Sequence, residues 1–100
     1  MLILNTRRRI IGHNLVTLGS LDTCLIHARE VFRPAIVAAG AAVVLMHNHP
    51  SGDPTPSEGD IKATRDLIKA GQLLKIELLD HVIVADEQHV SLRELGYFYS

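Results

Sequence analysis

Two imidazoles and a carboxylate lie close together in the run from His47 through His49 to Asp60, HNHPSGDPTPSEGD, a donor set that suits one divalent metal ion. Side chains at i and i+2 of a strand share a face. His47 and His49, at the end of the apolar run Ala42 to Met46, therefore aim at one point beyond it while Asn48 points away. Pro50 and Gly52 end the strand, and the Asp53-Pro54 and Thr55-Pro56 steps keep the connection extended. Ser57 then opens a helix that returns Asp60 toward the histidines. Three protein ligands leave a fourth position for water, as catalytic zinc sites do. The same ligands with more open positions form the facial triad of non-haem Fe(II) oxygenases, so spacing leaves zinc and iron both open. The bland alternative is two hydrogen-bonded imidazoles beside a helix cap made by Ser57 and Asp60.

The elements around this run read as a mixed β-sheet flanked by helices, an α/β domain. Leu2 to Asn5 and Arg9 to Gly12 flank Thr6-Arg7-Arg8 as a hairpin, and Leu15 to Leu18 reads as a third strand followed by a loop at Gly19, Ser20 and Asp22. His27 to Ala39 has near-helical apolar spacing, with Gly40 as its stop. Pro34 predicts an irregular first turn and a main helix starting near Phe32. Ala41 to Met46 contains no polar residue and predicts a central strand covered on both faces. From Ser57, a capping-box-like pair with Asp60 opens a helix with Ile61, Thr64 and Ile68 on one face and Gly71 at its end. Leu73 to Val84 predicts one or two strands, Asp86-Glu87-Gln88 a turn, His89 to Ser91 a short strand, and Ser91 to Glu94 a capped turn stopping at Gly96.

One hundred residues with 47% hydrophobic content can bury one core, which predicts a single domain over residues 1–100. A net charge of −1 gives no global drive toward nucleic acid or acidic membrane, and Arg7, Arg8 and Arg9 read as a solvated hairpin turn. Cys24 stands alone, which excludes a disulfide framework within the chain and a cysteine zinc site. No apolar run reaches a membrane span and no secretory pattern is visible, so the expectation is a cytoplasmic protein without membrane association. Strand-like residues begin at Leu2 with almost no lead-in, which suggests a minimal gene product or a fragment of a longer one.

The ligand run resembles the JAMM (MPN+) zinc metalloprotease signature: His47-Asn48-His49-Pro50, with Ser57 and Asp60 downstream. Its wording is similar to the bacterial RadC-like branch of JAB/MPN domains. Leu4-Asn5-Thr6-Arg7, His27-Ala28-Arg29-Glu30-Val31-Phe32-Arg33, Leu79-Asp80-His81-Val82-Ile83-Val84 and Ser91-Leu92-Arg93-Glu94 extend that resemblance over nearly the whole chain. It implies a cytidine-deaminase-like fold and one Zn2+ per chain held by His47, His49 and Asp60, with a water whose pKa falls toward about 7. It also implies that Ser57 stabilises the tetrahedral oxyanion, a role compatible with capping because a hydroxyl both donates and accepts.

JAMM enzymes take their general base from a glutamate in the first strand, before the position matching Leu2, and no residue of this chain matches it. The reading is then a domain lacking its glutamate-bearing N-terminal segment, with ligands kept and a contribution of about 10²- to 10⁴-fold lost. Glu30 is the one substitute base within the chain, with a structural role as its alternative. Asp53 could replace Asp60 as a ligand, and Asp80 could orient a ligand imidazole or make only a buried polar contact. His13, His27 and His89 read as solvent-facing, and His81 as a buried, hydrogen-bonded residue.

The functional expectation is a zinc-dependent hydrolase of peptide or isopeptide bonds. A rival is a non-catalytic DNA repair or recombination module with DNA as partner, disfavoured by near-neutral charge and 4% aromatic content. A scaffold or dimerisation domain is a third class, weakened because inactive MPN relatives typically lose these ligands.

Overall fold

The computed structural model describes residues 1–14, 28–49 and 52–98. Within them five strands form one mixed sheet: β1 (Leu2–Leu4), β2 (Ile10–His13), β3 (Ala42–Asn48), β4 (Glu77–Ala85) and β5 (Gln88–Ser91). Their spatial order is β2-β1-β3-β4-β5, with β3 and β4 parallel and the other neighbours antiparallel. Helix α1 (Ala28–Val37) precedes β3, and helix α2 (Glu58–Leu74) makes the crossover that a parallel β3-β4 pair requires. The expected α/β class is therefore observed. The expected strand at Leu15 to Leu18, with Cys24 and His27, lies outside the described residues.

Both helices pack on one face of the sheet. Val31, Phe32 and Ala35 of α1 and Leu67 of α2 meet Ile3, Val43, Leu45 and Leu78 in one core. Met46, on the opposite face of β3, is 50% exposed. Among the described residues β3 is thus central but not covered on both faces along its length, a correction that an all-apolar run could not announce. No helix among the described residues is long and apolar enough to cross a membrane.

The hairpin forms as expected, and Asn5 Oδ1 closes its turn by accepting from the backbone N–H groups of Arg7 (2.9 Å) and Arg9 (3.1 Å). Arg8 pairs with Glu77 at 2.7 Å, so part of the basic cluster is engaged within the fold.

Three helix boundaries differ from expectation. α1 runs from Ala28 straight through Pro34, because Val31, Phe32 and Ala35 anchor both sides of the proline in the core and outweigh one missing hydrogen bond. It ends before Ala39, which takes the left-handed conformation expected of Gly40. α2 continues past Gly71 to a C-cap at Lys75, also left-handed at φ 59°. The two glycines serve close approach instead. A Cβ on Gly40 would lie 2.4 Å from Ile3 Cγ2, and one on Gly71 would lie 2.4 Å from the Ile76 carbonyl oxygen. Because that second neighbour is backbone, Gly71→Ala is expected to destabilise the chain by about 1–3 kcal/mol despite alanine's better helix propensity. Urea unfolding checks this, and a midpoint equal to the parent's would contradict it.

Candidate metal centre

Strand β3 delivers His47 as its penultimate residue and His49 one residue beyond its end. The ladder nevertheless continues, since His49 N–H donates to the Val84 carbonyl at 2.9 Å, so both imidazoles project from the helix-covered face at the carboxyl ends of β3 and β4. That end of a parallel pair is where open α/β sheets place ligands.

Asp60 arrives from the first turn of α2. Its position is fixed by a reciprocal capping box: Ser57 N–H donates to Asp60 Oδ2 at 2.9 Å, and Asp60 N–H donates to Ser57 Oγ at 3.1 Å. The Asp60 carboxylate is fully buried, while the side chains of His47 and His49 are 6% and 17% exposed. His49 Nε2 lies 3.1 Å from Asp60 Oδ2, and His47 Nδ1 lies 3.6 Å from Asp60 Oδ1. One ligand atom from each of the three residues falls within a 4.8 Å cluster. The buried face of α2 runs through Asp60, Thr64, Leu67 and Gly71, with Ile61 and Ile68 only flanking it.

The donor chemistry fits a cation. His49 Nδ1 sits 3.0 Å from the Asp53 carbonyl, which can only accept, so the ring proton belongs on Nδ1 and the lone pair on Nε2. That lone pair then faces a carboxylate oxygen at 3.1 Å. Two acceptors so close require a positive charge between them, either a proton or a metal ion.

Burial pushes the His47 imidazole below its ordinary value, with Asp60 partly opposing and His49 adding to the shift. His47 therefore tends to the neutral form that a metal needs.

Other sequence expectations sort clearly. Asp53 does not substitute for Asp60: its side chain is committed to Thr55, accepting from the backbone N–H at 2.9 Å and the hydroxyl at 2.6 Å. Those bonds hold its carboxyl below the usual range. Glu30 is exposed in the first turn of α1 and is not part of the cluster. Asp80 does not orient a ligand imidazole. It accepts from His81 N–H (2.7 Å), the Ser91 hydroxyl (2.5 Å) and Arg93 N–H (3.2 Å), tying β4 to the turn after β5. His13 and His89 are exposed, as expected.

Its neighbour His81 holds the place next to the site. It is fully buried, as expected, but sequence reasoning missed that its Nε2 lies 3.2 Å from His47 Nδ1 and its Nδ1 lies 2.7 Å from Thr64 Oγ1. A register shift explains how it gets there: Val43 pairs with Leu78 but Val44 pairs with Asp80, leaving Leu79 extra. The bulge puts Leu78 and His81 on the same face, which strict alternation forbids. Arg93 Nε donates to the Leu79 carbonyl and steadies that irregularity.

A family model described as the RadC-like JAB domain matches residues 1–97. The chain belongs to the RadC-like JAB domain family. A UPF0758 protein of Caldanaerobacter subterraneus subsp. tengcongensis is 46% identical over 98 residues, covering 98% of this chain and 42% of that protein. A UPF0758 protein of Bacillus licheniformis is 50% identical over 94 residues, covering 94% of this chain and 42% of its own length. This RadC-like domain thus spans about two fifths of the curated relatives it matches. The mixed sheet with its two helices agrees with the JAB/MPN architecture that the family resemblance implies.

Proposed function

We propose that this chain is the zinc-binding part of a JAMM-type metallohydrolase acting on peptide or isopeptide bonds. The observation that carries the reading is the convergence of His47, His49 and Asp60, with His49 Nε2 3.1 Å from an oxygen of the buried Asp60 carboxylate. His47, His49 and Asp60 would hold Zn2+, which when bound supplies Lewis-acid polarisation of the scissile carbonyl and acidifies a water nucleophile.

Ser57 is the catalytic residue of this reading. Its oxygen accepts from Asp60 N–H, leaving its own proton to donate to the substrate carbonyl oxygen as negative charge builds there. The capping bond orients the hydroxyl for that donation. Among the described residues no carboxylate besides Asp60 joins the imidazoles, so we place the general base, the glutamate of JAMM enzymes, outside these residues.

The test compares this chain with a form extended at its N-terminus by a segment bearing that glutamate, on a panel of peptide and isopeptide substrates. Chelator-sensitive hydrolysis is expected in the extended form, at least about 100-fold above the chain alone. An extended form that binds zinc yet is inert across the panel would contradict the reading. Ser57→Ala in the extended form is expected to lower turnover by about 10²-fold and stability by about 1 kcal/mol. A stability loss with unchanged turnover would leave Ser57 as a cap alone.

A further inference from the structure

The hydrogen bonds around His81 fix which nitrogen of His47 can bind a metal. Thr64 Oγ1 donates its single proton to the Asp60 carbonyl at 2.8 Å, since that oxygen can only accept. Toward His81, 2.7 Å away, the same hydroxyl must therefore accept, and the donor is His81 Nδ1–H. With the single proton of its fully buried imidazole on Nδ1, His81 carries its lone pair on Nε2, the nitrogen that faces His47. His47 Nδ1, 3.2 Å from that lone pair, is then the protonated nitrogen of its ring. Asp60 Oδ1, 3.6 Å from the same nitrogen, favours the proton there as well.

We propose that His81, held by Thr64, is a positioning residue that locks His47 in the Nδ1–H tautomer and so presents Nε2 to the metal. The inference rests on the metal-centre reading above and assigns His81 a role beyond it. The relay runs from the Asp60 carbonyl through Thr64 and His81 to His47, so the backbone of one ligand sets the tautomer of another. Asp53 does the same for His49 through its carbonyl, and both imidazoles offer Nε2. Metal-ligating histidines commonly donate their other N–H to a partner of this kind. Here the partner is a third histidine, which can accept only because Thr64 has fixed its own proton on the far side.

The test uses the whole chain and Zn2+ alone. Imidazole NMR reads the His47 tautomer without metal and the coordinating nitrogen with it, while chelator competition gives zinc Kd for the parent, His81→Phe and His81→Gln. Circular dichroism of each metal-free variant reads the fold. The expected result is Nδ1–H on His47 in the metal-free chain and Nε2 coordination with zinc. Kd is expected to rise about 10- to 100-fold in His81→Phe, with a smaller rise in His81→Gln, whose amide oxygen can still accept.

Nε2–H on His47 in the metal-free parent, Nδ1 coordination, or a folded His81→Phe that binds zinc within about twofold of the parent would overturn the relay. If His81→Phe fails to fold, the parent's tautomer and the His81→Gln affinity decide the matter. A parent that binds no zinc would defeat the metal-centre reading, and the metal-free tautomer would still confirm or refute the relay separately.

Discussion

Zinc at a hundredfold excess over its Kd is expected to stabilise the chain by about 2.7 kcal/mol, and a chelator to reverse the gain. The effect follows from mass action, because His47, His49 and Asp60 converge only in the folded chain. Asp60 comes from α2, whereas His47 and His49 come from β3 and its extension, and the unfolded chain has no means of holding them together. His49→Ala is expected to abolish the stabilisation while costing the metal-free fold little, since its side chain lies at the partly exposed rim. Asp60→Ala should abolish it too, with a further loss of about 1 kcal/mol because its carboxylate also closes the capping box. Thermal melts of the three chains with and without zinc check this. Equal stabilisation of parent and His49→Ala would place the ion elsewhere.

The metal-free chain should lose stability as pH falls from about 6.5 toward 4. Burial, the largest cause, pushes His81 down to about 4 from its ordinary 6.5, and it lowers His47 as well. Their folded pKa values lie below the unfolded ones, so within that window the unfolded chain binds more protons and stability rises with pH. The contribution is fully present above the unfolded value and is lost as pH drops toward the folded one. For His81 alone the loss reaches roughly 3 kcal/mol by about pH 4. Denaturant unfolding at pH 7, 6, 5 and 4 measures it. The His81→Phe chain should show a shallower decline, and equal slopes in the two chains would contradict the assignment.

The convergence of His47, His49 and Asp60 was legible in the sequence because each step is local. Period-two alternation puts His47 and His49 on one face, and the Ser57 capping signal puts Asp60 in the first turn of the returning helix. His81 was legible as buried but not as a neighbour of His47, because one extra residue at Leu79 shifts the β4 register and nothing in an apolar run marks that position. The helix ends misled for a related reason. Gly40 and Gly71 carry the usual stop signal, yet tertiary contacts with Ile3 and Ile76 demand them, and Ala39 and Lys75 take the left-handed conformations. Pro34 likewise sits within α1 because the core on either side holds the helix together. Local rules located the chemistry, and long-range packing determined what surrounds it.

Elemental analysis of the purified chain after dialysis against trace zinc, beside His49→Ala and Asp60→Ala, reads directly whether His47, His49 and Asp60 hold the ion. About one zinc per parent chain is expected, with almost none in either variant while each remains folded. A parent chain that retains no zinc, or variants that retain as much as the parent, would contradict it.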